Sequence, residues 1–319
     1  MRAMRLHALG QPLQRDDIEP PTPGPGEVLL QVHACGVNFG DTLIVKGTYQ
    51  EKFDRPFAPG MEICGTVTAQ GAGVTHPAIG TRVAAYAGSG GFAEAAIVPA
   101  ARCVPVPDAM PSVEAAAFLV AYGTSHVGLD YKAHLQPGET LLVLGAAGGV
   151  GLTAVELGRL MGATVIACAR GAEKLEAAQS AGAHHLIDSD TADIRAEVKA
   201  LGGADVVYDP VGGAQFTAAL RTTKPEGRIL PLGFASGEVP QIPANILLVK
   251  NITVLGFYWG GYATLKPNVL TDSFTQLFAW YADGKLKPHV SHEVPLEQAN
   301  DALELLRSRA STGKVVVVA

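Results

Sequence analysis

Leu141-Leu142-Val143-Leu144-Gly145-Ala146-Ala147-Gly148-Gly149-Val150-Gly151-Leu152 decides the fold of this chain: an apolar run of strand length enters a glycine-rich turn that opens a helix. The positions that follow, Val155, Leu157, Leu160 and Met161, keep helical spacing as far as Gly162. Glycine serves such a junction in three ways: it permits the tight turn, lets backbone approach a phosphate, and allows the helix to pack closely on the strand. The free N–H groups at the helix N-terminus then face the anion. The pattern implies a dinucleotide pyrophosphate site, with Ala147, Gly148, Gly149 and Val150 as the expected contacts. The G-x-G-x-x-G register reads Ala146, Gly148, Gly151, so by itself the turn also fits an ordinary strand-to-helix junction.

What surrounds the turn favours the nucleotide reading. Downstream lie a strand at Thr164–Ala169, a helix at Glu173–Ala181, a strand at His185–Ile187 and a helix at Ala192–Leu201. Asp205–Tyr208, Arg228–Leu232 and Ile252–Phe257 supply further strands. Apolar strands alternating with amphipathic helices predict an α/β fold, a doubly wound parallel sheet with helices on both faces. Upstream the pattern is different: short β-rich runs at Glu27–Ala34, Ile63–Ala69, Thr81–Ala87, Phe92–Val98 and Cys103–Val106 are separated by Pro and Gly. Pro20-Pro21-Thr22-Pro23-Gly24-Pro25-Gly26 reads as an extended entry loop, because proline lacks a backbone donor and restricts the residue before it. Helices at Thr271–Asp283 and Leu296–Arg309 and a strand at Lys314–Val318 are too little for a domain, so they are expected to return to the first one. The expected organisation is a β-rich domain from 1–115 and 262–319 around a nucleotide-binding domain at 116–261.

Composition sets limits on partners. The 319 residues are 48% hydrophobic and 17% charged, which suits a globular chain large enough for two domains. The 24 Lys and Arg against 30 Asp and Glu, net -6, are not clustered, so nucleic acid is not the expected partner. No apolar run approaches the roughly 18 to 20 residues of a membrane span, and Met1–Gly10 lacks the core of a signal peptide. A cytoplasmic protein without membrane contact is expected. Cys35, Cys64, Cys103 and Cys168 are far apart and form no C-x-x-C pair, and the nine histidines are scattered, so neither a disulfide framework nor a metal site is expected.

Six motifs in order, covering essentially the whole chain, resemble the quinone oxidoreductase (zeta-crystallin-like) group of the medium-chain dehydrogenase/reductases. They are Gly36-Val37-Asn38-Phe39-Gly40-Asp41, Gly47-Thr48-Tyr49, Pro59-Gly60-Met61-Glu62, the glycine turn, Asp209-Pro210-Val211-Gly212-Gly213 and Thr312-Gly313-Lys314-Val315-Val316. The resemblance implies a Rossmann domain beside a β-rich, GroES-like catalytic domain. It also implies hydride transfer from a nicotinamide cofactor to a small electrophilic acceptor, and a homodimer built on the apolar stretch Val249–Phe257. In zinc-dependent relatives a cysteine stands at the position of Asn38 and a histidine at that of Met61. Asn and Met supply neither thiolate nor imidazole, so a zinc-independent enzyme is expected. Without a Lewis acid, an acceptor that is already electrophilic, a quinone or conjugated enone, is the expected substrate. A 2-enoyl thioester reductase and a non-catalytic, crystallin-like NADPH-binding protein are the alternatives.

Cofactor choice is read at the end of the second nucleotide-domain strand. A carboxylate about 20 residues past the glycine turn would bond the ribose 2′-hydroxyl of NAD. This chain has Cys168-Ala169-Arg170-Gly171 there, with Lys174 one turn on, and two cations favour the 2′-phosphate of NADPH. By residue-by-residue resemblance, Asn38 lies at the substrate cleft, supported by Asp41. Thr124 lies near the cofactor ribose or phosphates, and Val211 on the nicotinamide face. Gly233-Phe234 and Phe257-Tyr258, each just past a parallel strand, fall at the C-terminal edge of the sheet where such folds bind ligands, and with Lys314 they are further expected cofactor contacts, although Phe257 and Trp259 read equally well as core. Tyr49 and Asn38 are the candidate catalytic residues: a phenol could hold the oxyanion that develops on the acceptor, or protonate the product. It could also simply shape the pocket.

Overall fold

The computed structural model describes all 319 residues. In chain order its strands are β1 (Arg2–Arg5), β2 (Gln14–Asp17), β3 (Glu27–Val37), β4 (Glu62–Gln70), β5 (Arg82–Tyr86), β6 (Ala95–Pro99) and β7 (Cys103–Pro105). There follow β8 (Thr140–Leu144), β9 (Thr164–Ala169), β10 (His185–Asp188), β11 (Ala204–Asp209), β12 (Thr223–Pro231), β13 (Thr253–Val254), β14 (Val290–Pro295) and β15 (Lys314–Val318). They divide between two units, Met1–Val120 with Pro288–Ala319, and Ala121–Lys287.

The first unit is built on a seven-stranded sheet in the order β14-β15-β3-β4-β5-β7, with β6 also paired to β3. Its pairs are antiparallel except β14 with β15. The alternation of Val28, Leu30 and Val32 along β3 sends one row of side chains into a core with Ile63, Val67, Val83 and Val98. A second core gathers Met4, Phe92 and Val37 with Leu296, Leu303, Val315 and Val317, so the C-terminal tail completes this unit.

The second unit holds the six-stranded sheet, in the order β10-β9-β8-β11-β12-β13, with every pair parallel. The order reverses direction beside β8, which is where open parallel sheets bind ligands outside their strand C-termini. Leu142, Leu144, Ile166, Phe216 and Ile229 fill its core. Both ends of this unit meet at one side chain. Glu156, on the helix Gly149–Leu160, accepts from the Tyr122 phenol (2.6 Å) and from the Lys287 backbone N–H (2.7 Å).

Three expectations need correction. The helix expected at Thr271–Asp283 in the first domain spans Pro267–Ala282 and belongs to the second unit. Phe274 packs there against Trp259, and the hydroxyl of Ser273 bonds His126 Nδ1 at 2.8 Å. The domain boundaries accordingly fall at Val120/Ala121 and Lys287/Pro288 instead of 115/116 and 261/262. The long apolar edge strand expected over Val249–Phe257 is not formed. Ala244–Lys250 is helical, Asn251 ends it in the left-handed conformation (φ 54°), and only Thr253–Val254 pairs with β12. Apolar content alone does not separate a short helix from a strand. The helices Phe39–Lys46, Gly213–Thr222 and Ala244–Lys250 and the strand β14 had no counterpart in the sequence reading.

The turn itself forms as expected. Gly145 adopts φ +59°, and a side chain on Gly151 would put its Cβ 2.2 Å from the Gly145 carbonyl oxygen. The helix can therefore sit on the turn only where it has no side chain. Gly151→Ala is expected to push the first helical turn off β8 and to destabilise the protein by about 2 kcal/mol or more, measured by urea-induced unfolding against the wild type.

Candidate functional site

In the second unit, the C-terminal ends of β8, β11 and β12 gather the expected cofactor contacts. Gly148, exposed, is the N-cap of the helix Gly149–Leu160, whose first N–H groups have no partner within the helix. Val211 leans over the turn: a Cβ on Gly145 would lie 2.9 Å from its Cγ2. Val211 is held there by the buried Asp209, whose Oδ1 accepts from the backbone N–H groups of Val211 (2.7 Å) and Gly212 (2.9 Å). Asp209 Oδ2 is buried with no hydrogen-bond partner, and burial pushes this carboxyl above the usual range. Phe234, largely exposed, packs beside Gly212, and Gly233 lies against the Pro210 carbonyl. Val211 thus meets the turn, and Gly233 and Phe234 lie behind it against Pro210 and Gly212, whereas Thr124 is half-buried in the helix Leu119–His126.

Beneath the turn is a network that the sequence did not reveal. Ser125 Oγ meets both Tyr208 Oη and Thr153 Oγ1 at 2.8 Å and donates to the Val150 carbonyl at 3.0 Å. It ties the first turn of the helix Gly149–Leu160 to β11 and to the helix Leu119–His126. That helix continues into a π-helical segment, Val127–Lys132, on which Phe257 packs. Phe257 also meets Tyr262 at 5.9 Å between ring centroids. Trp259 is buried core, while Tyr258 is largely exposed.

Arg170 and Lys174 stand at the N-terminus of the helix Gly171–Ser180, just past β9. Arg170 Nε lies 3.2 Å from Asp190 Oδ1, so the guanidinium already has a carboxylate partner.

In the first unit, Asn38 starts the helix Phe39–Lys46, and its backbone N–H donates to Asp41 Oδ2 at 2.8 Å. Its side chain is fully engaged. Oδ1 accepts from Lys314 Nζ (2.7 Å), while Nδ2 donates to the Gly36 carbonyl (3.1 Å) and to Glu62 Oε2 (3.2 Å). Lys314 forms a buried ion pair with Glu62 at 3.0 Å, and Glu62 Oε1 accepts the Val120 N–H at 2.8 Å. Lys314, expected on the cofactor, is thus turned inward, because a buried carboxylate on β4 demands a cation. Asn38, expected to be catalytic, belongs to the same cluster. Asp41, also fully buried, accepts the Gly60 N–H at 3.2 Å, and desolvation pushes its carboxyl up to about 6. Tyr49 lies against Gly40, whose added Cβ would fall 3.3 Å from the ring and 2.7 Å from the Met61 methyl. The four cysteines are free, and no three His, Cys, Asp or Glu side chains gather as a metal site. No helix is long and apolar enough to cross a membrane.

Sequence comparison agrees with this architecture. Residues 24–108 match the family model "Alcohol dehydrogenase GroES-like domain", and residues 149–279 match "Zinc-binding dehydrogenase". A quinone oxidoreductase-like protein 2 homolog of Nematostella vectensis is 42% identical over 99% of this chain and 88% of its own length. The chain is a medium-chain dehydrogenase/reductase of the quinone oxidoreductase-like group. Among solved members of this family, the Escherichia coli quinone oxidoreductase complexed with NADPH superposes with a TM-score of 0.93 at 30% identity, covering 100% of both chains. The Thermus thermophilus quinone oxidoreductase, solved alone and with NADPH, gives 0.88 at 34% identity, again over 100% of both.

Glu62 and Asp209 stand within the sequence motifs, but their roles are not legible there; the trace they leave is that Glu62 directly precedes, and Asp209 directly ends, an apolar run. Removing one partner of a buried ion pair strands the other charge, so Lys314→Met is expected to cost about 3–5 kcal/mol. The double variant Glu62→Gln/Lys314→Met is expected to recover much of that loss, and urea unfolding of the single and double variants measures the coupling.

Proposed function

We propose that this chain is an NADPH-dependent, zinc-independent reductase that delivers hydride to a small electrophilic acceptor, a quinone or conjugated enone. The observation that carries the reading is the glycine turn, with Val211 leaning over it at the point where the parallel sheet reverses order. The residues fit the cofactor: the open face at Gly148 and the free N–H groups of the helix Gly149–Leu160 suit a pyrophosphate. Relatives solved with NADPH support the same choice.

Bound NADPH supplies the hydride; the rest of the task falls to the protein. The backbone of Gly148, Gly149 and Val150 holds the pyrophosphate, and the Ser125–Tyr208–Thr153 hydroxyls keep that helix end in place. Val211, fixed by Asp209, presents an apolar surface to one face of the nicotinamide ring and so selects the face that reacts. Arg170 and Lys174 take the 2′-phosphate. The Tyr49 phenol donates a hydrogen bond to the acceptor oxygen as negative charge builds there.

Zinc independence rests on the cluster around Asn38. Where relatives place a thiolate, this chain has an amide bonded to the Lys314 ammonium, and Met61 offers no imidazole. For assembly, the short edge strand β13 and the exposed Leu248 and Val249 beside it favour pairing with a second copy.

An acceptor panel with NADPH and NADH, followed at 340 nm, tests the reading. Quinones and enones are expected to turn over faster than enoyl thioesters or aldehydes; a preference for crotonyl thioester would assign the thioester reductase activity instead. Arg170→Ala/Lys174→Ala is expected to lower kcat/KM for NADPH about 10- to 100-fold while leaving NADH unchanged. Tyr49→Phe is expected to lower kcat about tenfold, and an unchanged kcat with every accepted substrate would remove Tyr49 from the chemistry.

A further inference from the structure

The end of the second nucleotide-domain strand carries no carboxylate in sequence, yet the fold returns one to it. β9 pairs with β8 so that Leu144 faces Cys168, and β10 pairs with β9 so that Asp188 faces Ala169. Arg170 and Asp190 therefore emerge side by side at the C-terminal edge of adjacent strands, next to the strand that feeds the glycine turn. This is where parallel dinucleotide-binding sheets receive the adenosine ribose. There Asp190 Oδ1 lies 3.2 Å from Arg170 Nε, with both side chains about half exposed, at 54% and 50%. Asp188, in the same corner, is locked to the backbone: its Oδ1 accepts the N–H groups of Gly171 (3.1 Å) and Asp190 (3.0 Å). Those two bonds hold the Asp188 carboxyl below its ordinary range.

We infer that Asp190 is a specificity-determining residue that opposes the 2′-phosphate of NADPH by competing for Arg170, and so narrows the preference for NADPH over NADH. The inference rests on the proposed contact between Arg170 and the 2′-phosphate. A surface ion pair of this kind contributes little to stability, so the fold does not require it. Its effect falls on ligands. A 2′-phosphate brings close to two negative charges to a guanidinium whose Nε is already occupied, and it meets the Asp190 carboxylate at short range. A 2′-hydroxyl brings no charge and leaves the ion pair undisturbed. Asp188 is held by other partners: its Oδ1 is spent on two backbone donors, Gly171 at the start of the helix after β9 and Asp190 in the turn after β10.

The test uses two fragments that differ only in the 2′-phosphate, adenosine 2′,5′-bisphosphate and 5′-AMP. Each is titrated into the full-length protein by calorimetry at pH 7.5 and low ionic strength. Asp190→Asn is expected to tighten binding of the bisphosphate about three- to fivefold while leaving 5′-AMP unchanged. Added salt is expected to shrink the difference, and the ratio of kcat/KM for NADPH over NADH should rise by a similar factor. Tightening of both ligands, of neither, or weaker binding of the bisphosphate overturns the inference. Arg170→Ala separates the two levels. If it leaves bisphosphate binding unchanged, the phosphate contact itself is wrong; if it weakens binding and Asp190→Asn has no effect, only the role of Asp190 fails.

Discussion

The second unit is organised by the absence of one side chain. The helix Gly149–Leu160 approaches the turn so closely that any Cβ at Gly151 would overlap the Gly145 carbonyl oxygen. That contact aims the helix N-terminus past the end of β8, where its first N–H groups have no partner within the helix. The hydroxyls of Ser125, Thr153 and Tyr208 fix it from below, while Asp209 fixes Val211 above. Buried polar groups of this kind are tolerated because nearly all their hydrogen-bonding capacity is met. The exception, Asp209 Oδ2, belongs to the carboxylate that holds Val211.

A second constraint governs the first unit. Glu62 and Asp41 are fully buried carboxyls, and Lys314 reaches Glu62 from the far end of the chain. The cluster engages both ends of the Asn38 amide, a residue expected from sequence at the substrate cleft.

Much of this was legible beforehand because it is local. The glycine turn, the alternation of strands and helices through Asp209 and the β-rich character of the first 115 residues each depend on periodicity within a few residues. The final strand was placed to the residue, Lys314–Val318. The segment Val249–Phe257 reads as a strand in sequence because its apolar residues fit strand or helix, and Asn251 decides for a helix end. The helix Pro267–Ala282 was assigned to the wrong unit because its partners, Trp259 and His126, are chosen by packing and not by proximity in sequence.

The sequence by itself determined that this chain has a dinucleotide-binding turn in a parallel α/β sheet, a β-rich companion unit and two cations past the second strand. These follow from backbone geometry and side-chain period, which neighbouring residues impose on one another. Only the tertiary structure decided what those side chains do. Lys314 meets Glu62 across 252 residues, and Asp190 reaches Arg170 from the turn after the neighbouring strand of the sheet. Charges act through space over a few ångströms, and strand pairing, which no local pattern encodes, determines which of them become neighbours.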